Sequence, residues 1–576
     1  MSSGGVCKIK PEFVIREHPK EVAEECVSIP TSNNEAEEPS AKRKKLSKYE
    51  KKKLKGQNKS RPAFRCDKSL ELCSTLMNLL DGENIPACPR KNCPTLHDID
   101  EYLEKKPQDI NETCYNFEIQ GECSRGLGCR FGKQHIINGR NIINTPKKLE
   151  WQETGLKTIN QLKNDVQQAL RKRTYNFEIA QSIVEYNNNK YRQESNERND
   201  QKVQTLGAVT DEDIIALLKR EKKKIDFKNK LVLSPLTTVG NLPFRRICKE
   251  YGADVTCGEM AMCSALLQGA PQEWALVKRH QSENIFGVQL CANNPYLFAK
   301  CGQLLEKEIE VDYIDVNLGC PIDLVYREGA GCGLLRRPKV LETCIRSLCD
   351  VLTIPVTVKT RMGIYNSENI AHNLVPKFQS WGAAAVTIHG RTKEQRYTKQ
   401  SDWNYIEECA KSSPEFPIIG NGDILCYKDY KNAFITSPSI SAVMIGRGAL
   451  IKPWIFQEIK EQKLFDISSS ERFEVIKKYV NYGLEHWGSD NKGVETTRRF
   501  LLEWLSFLYR YIPTGLLECP PQKINERPPY FKGRDDLETL MVSPSASDWI
   551  KISEMLLGKV PEGFQFLPKH KANSYK

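Results

Sequence analysis

The sequence contains no apolar run near the roughly 20 residues that a membrane-spanning helix requires, and no apolar leader of the secretory type. These absences exclude membrane-spanning classes and argue against secretion, so we expect no membrane partner. Cysteine is not scarce, but the count of 21 is odd and many stand singly inside apolar segments. We therefore expect free thiols in a reducing compartment, cytoplasmic, nuclear or both.

The length and the net charge limit the number of domains and the type of partner. The 576 residues suffice for about three domains, and 39% hydrophobic residues suffice for at least one large core. The net charge of +12 indicates an acidic partner, most simply a nucleic acid. Residues 1–60 are predicted to be a disordered basic tail, because ten Lys or Arg against one Glu fill 42–59. A solvated tail, RNA contact and a nuclear-import signal all remain open for that run.

Residues 61–140 contain two clusters of cysteine and histidine, of which the second is the clearer. Eight residues separate Cys114 from Cys123, five separate Cys123 from Cys129, and five separate Cys129 from His135. Three thiolates and one imidazole complete a tetrahedral zinc shell, and short polar loops allow so small a segment to wrap the ion. The alternative, scattered core cysteines, is weaker because little apolar sequence surrounds them.

The first cluster resembles an upstream copy of the second, with ligands Cys73, Cys88, Cys93 and His97. Its first gap is longer, at fourteen residues, and Cys66 is a rival first ligand. We predict two CCCH-type zinc fingers that bind single-stranded or looped RNA. The aromatic residues expected to stack on bases are Tyr115, Phe117 and Phe131.

The segments on either side of the central region are predicted to be helical. Residues 141–226 place apolar side chains at helical spacing and end in the basic run 219–224, which predicts a helical basic connector or a plain solvated helix. Residues 471–576 are predicted to form a helical domain. Its apolar stripe is more typical of a core than of a ligand site and consists of Phe500, Leu501, Trp504, Leu505 and Leu508.

In residues 227–470 short apolar strands alternate with helical stretches. Eight such units match an α/β fold of the (β/α)₈ barrel type. A doubly wound open sheet is the weaker alternative, because no Gly-x-Gly-x-x-Gly turn follows the first strand. The predicted strands are 231–235, 254–260, 286–290, 313–318, 355–360, 385–389, 417–420 and 442–445.

Polar residues follow the apolar runs of these strands, where a parallel barrel gathers them on one rim. Gly422 and Gly446 lie in the last two units, where barrels usually bind phosphate and an Arg can clamp the anion. The polar residues at the strand ends are Thr237, Gln289, Asn317, Lys359, His389, Asn421, Asp423 and Arg447.

Five segments of this region resemble the flavin-dependent tRNA-dihydrouridine synthases, and the paired fingers and C-terminal tail resemble the eukaryotic branch that acts on position 47. The resemblance covers the chain from about residue 48 to its C-terminus. The segments are Ser234-Pro235-Leu236-Thr237-Thr238-Val239-Gly240-Asn241-Leu242-Pro243-Phe244-Arg245, Asn317-Leu318-Gly319-Cys320-Pro321, Val358-Lys359-Thr360-Arg361-Met362-Gly363, His389-Gly390-Arg391-Thr392 and Asn421-Gly422-Asp423-Ile424.

The resemblance implies FMN in the barrel mouth, NADPH as reductant, and reduction of the C5=C6 bond of a uracil in tRNA. It also implies a helical domain that helps to bind tRNA. Cys320 would be the proton donor. Our own candidate for holding the flavin or the extruded base is Asn317, and our candidate for contacting a substrate phosphate or the base edge is Arg391. The implied FMN ligands are Pro235, Leu236, Thr237, Gln289, Lys359, His389, Asn421, Gly422, Asp423, Gly446 and Arg447.

These residue types suit the implied chemistry. A thiol with an ordinary pKa near 8.5 stays protonated at neutral pH yet releases its proton readily, so Cys320 suits a general acid better than a serine would. Lys359 would stabilise an anionic reduced flavin as a point charge. A uracil inside tRNA must leave its stack to reach the barrel.

Two other functions remain as alternatives to uridine reduction in tRNA. One is an RNA-binding zinc-finger protein without catalysis, and the other is an FMN oxidoreductase for another pyrimidine. We expect the protein to be a monomer.

Overall fold

The computed structural model describes residues 6–15, 67–197, 222–523 and 526–569. The chain divides into two compact units, one formed by residues 153–465 and the other by residues 1–152 together with 466–576. Within the described ranges, no helix combines the length and the apolar character needed to cross a bilayer.

The unit 153–465 contains a closed barrel of eight parallel strands. Val443 of the last strand pairs with Leu231 of the first, Val232 of the first pairs with Val255 of the second, and Val255 pairs with Ile285 of the third, so the eight strands close into a ring. The short strand Ala261–Met262 pairs with the end of the third strand. The predicted (β/α)₈ fold is confirmed. The strands are β1 Leu231–Leu233, β2 Val255–Cys257, β3 Ile285–Cys291, β4 Tyr313–Asn317, β5 Val356–Arg361, β6 Ala385–His389, β7 Ile418–Asn421 and β8 Ala442–Ile445.

Helices follow the strands, and short polar residues begin several of them. The Asn294 side chain accepts a hydrogen bond from the backbone N–H of Leu297, and Asp402 does the same for Tyr405, which satisfies donors that a helix start leaves unpaired. The helices of this part of the unit are Leu242–Glu250, Cys263–Leu266, Pro271–Trp274, Pro295–Glu308, Asp323–Arg327, Pro338–Val351, Ala371–Ser380, Trp403–Lys411, Tyr427–Thr436, Arg447–Ile451 and Ile455–Glu461.

The barrel interior is apolar near the starts of the strands and polar near their ends. The apolar floor is formed by Phe227, Val232, Val255, Tyr313, Ala385, Ile419, Ala442 and Met444. Because this floor fills the bottom of the barrel, a ligand can enter only from the end where the polar side chains lie.

Residues 153–197 belong to the barrel unit and do not form a separate connector. The strand Thr158–Ile159 pairs with Arg279–His280, and the helix Asn164–Lys172 follows. The helix Glu178–Glu197 packs on two barrel helices and buries Ala180 and Val184 against Ala299. The predicted helices are present, but their apolar positions cover the barrel. Of the basic run 219–224, only 222–224 are described, and there Lys223 forms an ion pair with Asp312.

The other unit joins the two Cys/His clusters to the C-terminal helices. Its helices are Ile99–Lys105, Tyr115–Gln120, Ser469–Trp487, Asn491–Leu508, Asp536–Val542 and Ala546–Leu557, and Thr145–Thr154 lies at its boundary. The predicted core stripe is confirmed, because Leu501, Trp504, Leu505 and Leu508 are buried and Phe500 stacks on Trp487 with ring centroids 4.6 Å apart.

The two clusters and the helical domain, which were predicted as separate domains, belong to one compact unit. The turn between the two long helices packs on the second cluster, where Arg130 N–H donates to Ser489 O at 2.8 Å and Arg125 donates to Trp487 O at 3.3 Å. Gly488 has φ +109°, and a Cβ there would lie 2.4 Å from the Arg125 side chain. Only glycine permits so close an approach.

Residues 6–15, which were predicted to belong to a disordered tail, have defined contacts in the structure. Val6, Ile9 and Val14 form β-bridges to the segment 517–531, and the short 3₁₀ turn Pro11–Phe13 lies between them. Cys7 and Ile9 are buried in a cluster with residues 512–517. This short segment lacks a core of its own and obtains one from the C-terminal domain. The basic run 42–59 lies outside the described residues.

Candidate active site and metal centres

The strand register gathers the predicted site residues into rows at the barrel mouth. Gln289 pairs with Asp315 across β3 and β4, and Asp315 pairs with Thr357 across β4 and β5. One row higher, Asn317 pairs with Lys359. That end of the barrel continues with Arg361, His389 and Asn421, of which Arg361 pairs with His389 and His389 pairs with Asn421.

Asn317 ends β4 and organises the turn that follows it. Its Oδ1 accepts hydrogen bonds from the backbone N–H of Gly319 at 3.2 Å and of Cys320 at 2.9 Å, and its Nδ2 donates to Gln289 Oε1 at 2.8 Å. We expected Asn317 to contact the substrate or flavin. Three of its bonds instead hold the turn and Gln289, which leaves its second amide hydrogen for such a contact.

Cys320 lies on the turn after β4 and is 8% exposed. It packs with Cys291, at the end of β3, and with Met260 and Met262, which follow β2. Burial raises the pKa of the Cys320 thiol, against the lowering effects of a backbone hydrogen bond at Ile322 and of Arg361. The thiol is therefore protonated at neutral pH, as a proton donor must be.

Positive charge is concentrated around Lys359 and His389. Burial and the neighbouring Arg361 lower the pKa of Lys359 to about 8, so it remains mostly a cation at pH 7. Burial, Arg361 and Lys359 hold the pKa of His389 well below its ordinary value, so the imidazole is neutral. Lys359 Nζ also donates to Asn421 Oδ1 at 3.3 Å. This arrangement favours an anionic ligand at the mouth.

Asp423 binds two arginines at the end of β7. Its Oδ2 accepts from Arg391 and its Oδ1 from Arg447, each at 2.5 Å, and its Oδ2 also accepts from Ser401 N–H at 2.8 Å. Arg391 is fully buried and also donates to Lys399 O. This placement argues against the substrate contact that we expected of Arg391, because its buried guanidinium is occupied by Asp423 and by Lys399 O.

Gly422 and Gly446, which follow β7 and β8, lie close to residues of neighbouring loops. Gly422 has φ +153°, and a Cβ there would lie 1.9 Å from Ser401 Oγ, a buried hydroxyl without a hydrogen-bond partner. A Cβ on Gly446 would lie 3.7 Å from Leu236 Cδ2, so barrel closure brings the β8 loop beside the β1 loop. Of that β1 loop, Pro235 and Leu236 are half-buried and Thr237 is exposed.

Two residues of the mouth were missed by the sequence analysis. Asp315 stands two positions before Asn317 in an otherwise apolar strand, so period-two alternation could have identified it. Tyr397 stacks on His389 with centroids 6.3 Å apart and lies under the guanidinium of Arg447 at 4.0 Å. No local pattern distinguishes this tyrosine.

The second Cys/His cluster has the geometry of a metal site. The ligand atoms of Cys114, Cys123, Cys129 and His135 all lie within 4.8 Å of one another, and all four residues are buried. His135 Nδ1 bonds Asn141 Oδ1 at 2.8 Å, and its Nε2 is buried without a partner. An imidazole fixed through one nitrogen and unpaired at the other is typical of a metal ligand.

The first cluster also brings its four predicted ligands together, Cys73, Cys88, Cys93 and His97, within the same 4.8 Å limit. Cys73 is buried, Cys88 and Cys93 are half-buried, and His97 is exposed. The rival ligand Cys66 lies outside the described residues. Cys73 therefore completes a four-ligand set.

Two of the three aromatic residues expected to stack on RNA bases are buried. Phe117 is 7% exposed and packs on His135, and Phe131 is 6% exposed. Tyr115 contacts Tyr482 edge-to-face. The rings of Phe117 and Phe131 form part of the unit's interior, because the second cluster is covered by the C-terminal helices, whereas Tyr115 is half-buried.

Comparisons with known proteins agree with this geometry. The family model "Dihydrouridine synthase (Dus)" matches residues 232–507. A Xenopus tropicalis protein named "tRNA-dihydrouridine(47) synthase (NAD(P)(+))-like" is 48% identical over 99% of this chain and 96% of its own length. Proteins with that name from Homo sapiens and Oryza sativa are 50% and 42% identical, covering 91% and 85% of this chain and 85% and 84% of their own lengths.

Proposed function

The chain belongs to the dihydrouridine synthase family, and we propose that it reduces uridine to 5,6-dihydrouridine in tRNA, with NADPH as reductant and FMN as cofactor. Position 47, which stands in the relatives' names, is the proposed target. The observation that carries the proposal is a protonated, buried Cys320 on the turn after β4, at the same end of the barrel as the cationic Lys359.

The side chains of the mouth fit FMN. Gln289 and Asn421 offer amides, and Lys359 offers a cation for the electron-rich ring. Gly422 and Gly446 expose backbone without a Cβ, and Arg447 supplies a guanidinium for the phosphate. The partnerless hydroxyl of Ser401 beside Gly422 supports an additional ligand there. Pro235, Leu236, Thr237, His389 and Asp423 complete the proposed set.

When bound at this mouth and reduced by NADPH, FMN would supply the hydride that C6 of the uracil requires. Cys320 donates the proton that C5 requires. Its raised pKa keeps the thiol protonated until C5 becomes basic enough to accept that proton. Asn317 holds the Cys320 backbone N–H and so fixes the position of this donor. Lys359, still a cation at pH 7, would stabilise negative charge on a reduced flavin bound at the mouth.

Zinc is the ion that we assign to the two Cys/His clusters. Three sulfurs and one nitrogen match its preferred ligands, and the unpaired Nε2 of His135 points to an occupied second site. The fingers and helical domain are proposed to bind tRNA, in keeping with the net charge of +12. Those contacts must offset the few kcal/mol needed to extrude the uracil.

The test compares Cys320→Ala with Cys344→Ala, a matched buried cysteine on the helix Pro338–Val351. Each variant is assayed for bound flavin, for flavin reduction by NADPH and for dihydrouridine formation in unmodified tRNA. Cys320→Ala should bind and reduce flavin normally but form dihydrouridine roughly 10²–10⁴-fold more slowly, as expected for loss of a general acid. Cys344→Ala should resemble the wild type.

Two results would contradict the proposal. A wild-type protein without flavin, or with flavin but inactive on every tRNA, would remove the enzymatic function. Full dihydrouridine formation by Cys320→Ala would remove the proton-donor role while leaving the activity in place.

A further inference from the structure

We infer that Asp315 is a positioning residue for the reaction, whose carboxylate sets the amide orientations of Gln289 and Asn317 and through them the turn that carries Cys320. This inference rests on the proposed function. Asp315 is 3% exposed, and nothing in the mechanism above uses it. Its position in the middle of β4, between an apolar floor and the mouth, makes a charged side chain there unexpected.

The contacts form one continuous chain of hydrogen bonds. Asp315 Oδ1 accepts from Thr357 Oγ1 at 2.6 Å, and its Oδ2 accepts from Gln289 Nε2 at 2.7 Å. Gln289 Oε1 then accepts from Asn317 Nδ2, and Asn317 Oδ1 accepts from Cys320 N–H. Gln289, Asp315 and Thr357 are direct register partners, so the strands themselves hold this chain in place.

The direction of the chain follows from the donor and acceptor capacity of each group. An ionised carboxylate only accepts hydrogen bonds, so Gln289 must turn its Nε2 toward Asp315 and its Oε1 toward Asn317. Asn317 must then donate with Nδ2, which leaves its Oδ1 for the backbone N–H groups of Gly319 and Cys320. The carboxylate at one end of the chain and the backbone N–H groups at the other therefore favour the same orientation of each amide.

The same contacts explain how the carboxylate is tolerated. Burial raises the pKa of Asp315, while the hydrogen bonds from Thr357 and Gln289 and the charge of Lys359 oppose that rise. An apolar residue would be less costly in a barrel interior. The carboxylate also fixes which face of the Gln289 amide is presented to a ligand above it, and that amide is a proposed FMN contact.

The test uses two substitutions of Asp315 that differ in acceptor capacity. Asp315→Asn keeps an oxygen for Gln289, because the Thr357 hydroxyl can reverse and accept from the new amide. It should retain dihydrouridine formation within about threefold of the wild type. Asp315→Leu keeps the number and branching of the side-chain heavy atoms but has no acceptor, so Gln289 and Asn317 lose their fixed orientation. Its kcat should fall at least tenfold, with KM for tRNA within threefold. Its FMN content should stay near that of the wild type, because the other proposed FMN contacts are unchanged.

A double variant keeps the inference testable if Asp315→Leu does not fold. In Asp315→Asn combined with Thr357→Val, no group accepts from the new amide, so its orientation is no longer fixed. The kcat should fall by more than the product of the two single effects, whereas flavin content should not. Wild-type kcat in FMN-loaded Asp315→Leu, equal losses in Asp315→Asn and Asp315→Leu, or multiplicative effects in the double variant would each overturn the inference. An inactive wild type would instead contradict the proposed function.

Discussion

The second Cys/His cluster is enclosed by the fold, whereas the first is open to solvent on one side. In the second, the four ligands Cys114, Cys123, Cys129 and His135 are at most 2% exposed. In the first, Cys88 and Cys93 are half-buried and His97 is exposed. The two sites have the same ligand formula, so formula and spacing do not determine the setting.

The difference arises from what covers each site. The turn 488–491 lies on the second cluster, where Cys123 Sγ is 3.4 Å from Ser489 Oγ and Arg130 Nη1 donates to Asn491 Oδ1 at 2.8 Å. The first cluster instead packs on the second through an apolar cluster that includes Leu72, Leu76 and Leu127. The second metal is therefore expected to support the C-terminal domain, and the first to support an exposed surface.

Loss of a metal ligand should have the largest effect, and it should differ between the clusters. Cys129→Ser is expected to lower the free energy of unfolding by more than about 4 kcal/mol, because a buried metal site and the turn it supports are both lost. Cys93→Ser, at a half-buried ligand, should lower it by about 1–2 kcal/mol. Denaturant unfolding measures both, and proteolysis within Asn491–Leu508 reports the C-terminal domain separately. Equal losses would contradict the distinction.

Metal release should show the next largest effect. A colorimetric zinc chelator should remove metal from the full-length protein in two phases, at least tenfold apart in rate. The fast phase belongs to the first cluster, whose ligands a chelator can reach, and the slow phase requires opening of the turn 488–491. Cys93→Ser should abolish the fast phase alone. A single phase for both ions, or loss of the slow phase in Cys93→Ser, would show that burial does not control release.

The sequence predicted the barrel well because its signals are local. Each strand is a short run of apolar residues ended by polar ones, and the predicted strands agree with the observed ones to within a few residues. The candidate site residues were predicted by the same logic, since the ends of parallel strands share one rim. Register then brought Asn317 beside Lys359 and His389 beside Asn421.

What the sequence could not predict depends on contacts between distant residues. Cys123 and Ser489 are 366 positions apart, and no periodicity in either segment announces that they meet. The role of Arg391 depended on Asp423, 32 positions away, and on the direction of one side chain. The composition of residues 6–15 is typical of a disordered segment. Their apolar side chains pack in a core that residues 512–531 supply, and the local sequence does not reveal it.

The smallest expected effects come from two arginines that distinguish the clusters without removing a ligand. Arg130 donates to Asn491 and to Gln108 O, so Arg130→Ala should lower the free energy of unfolding by about 1–2 kcal/mol. Arg90, an exposed residue between Cys88 and Cys93, should change the free energy of unfolding by less than about 0.5 kcal/mol on substitution by alanine.

The salt dependence of tRNA binding should depend more on Arg90 than on Arg130, because an exposed cation binds phosphate and a paired one does not. Arg90→Ala should reduce the slope of log K against log salt by about 1, and Arg130→Ala should leave it unchanged. If Arg130→Ala changed the slope and Arg90→Ala did not, the covered cluster would be the one that binds RNA.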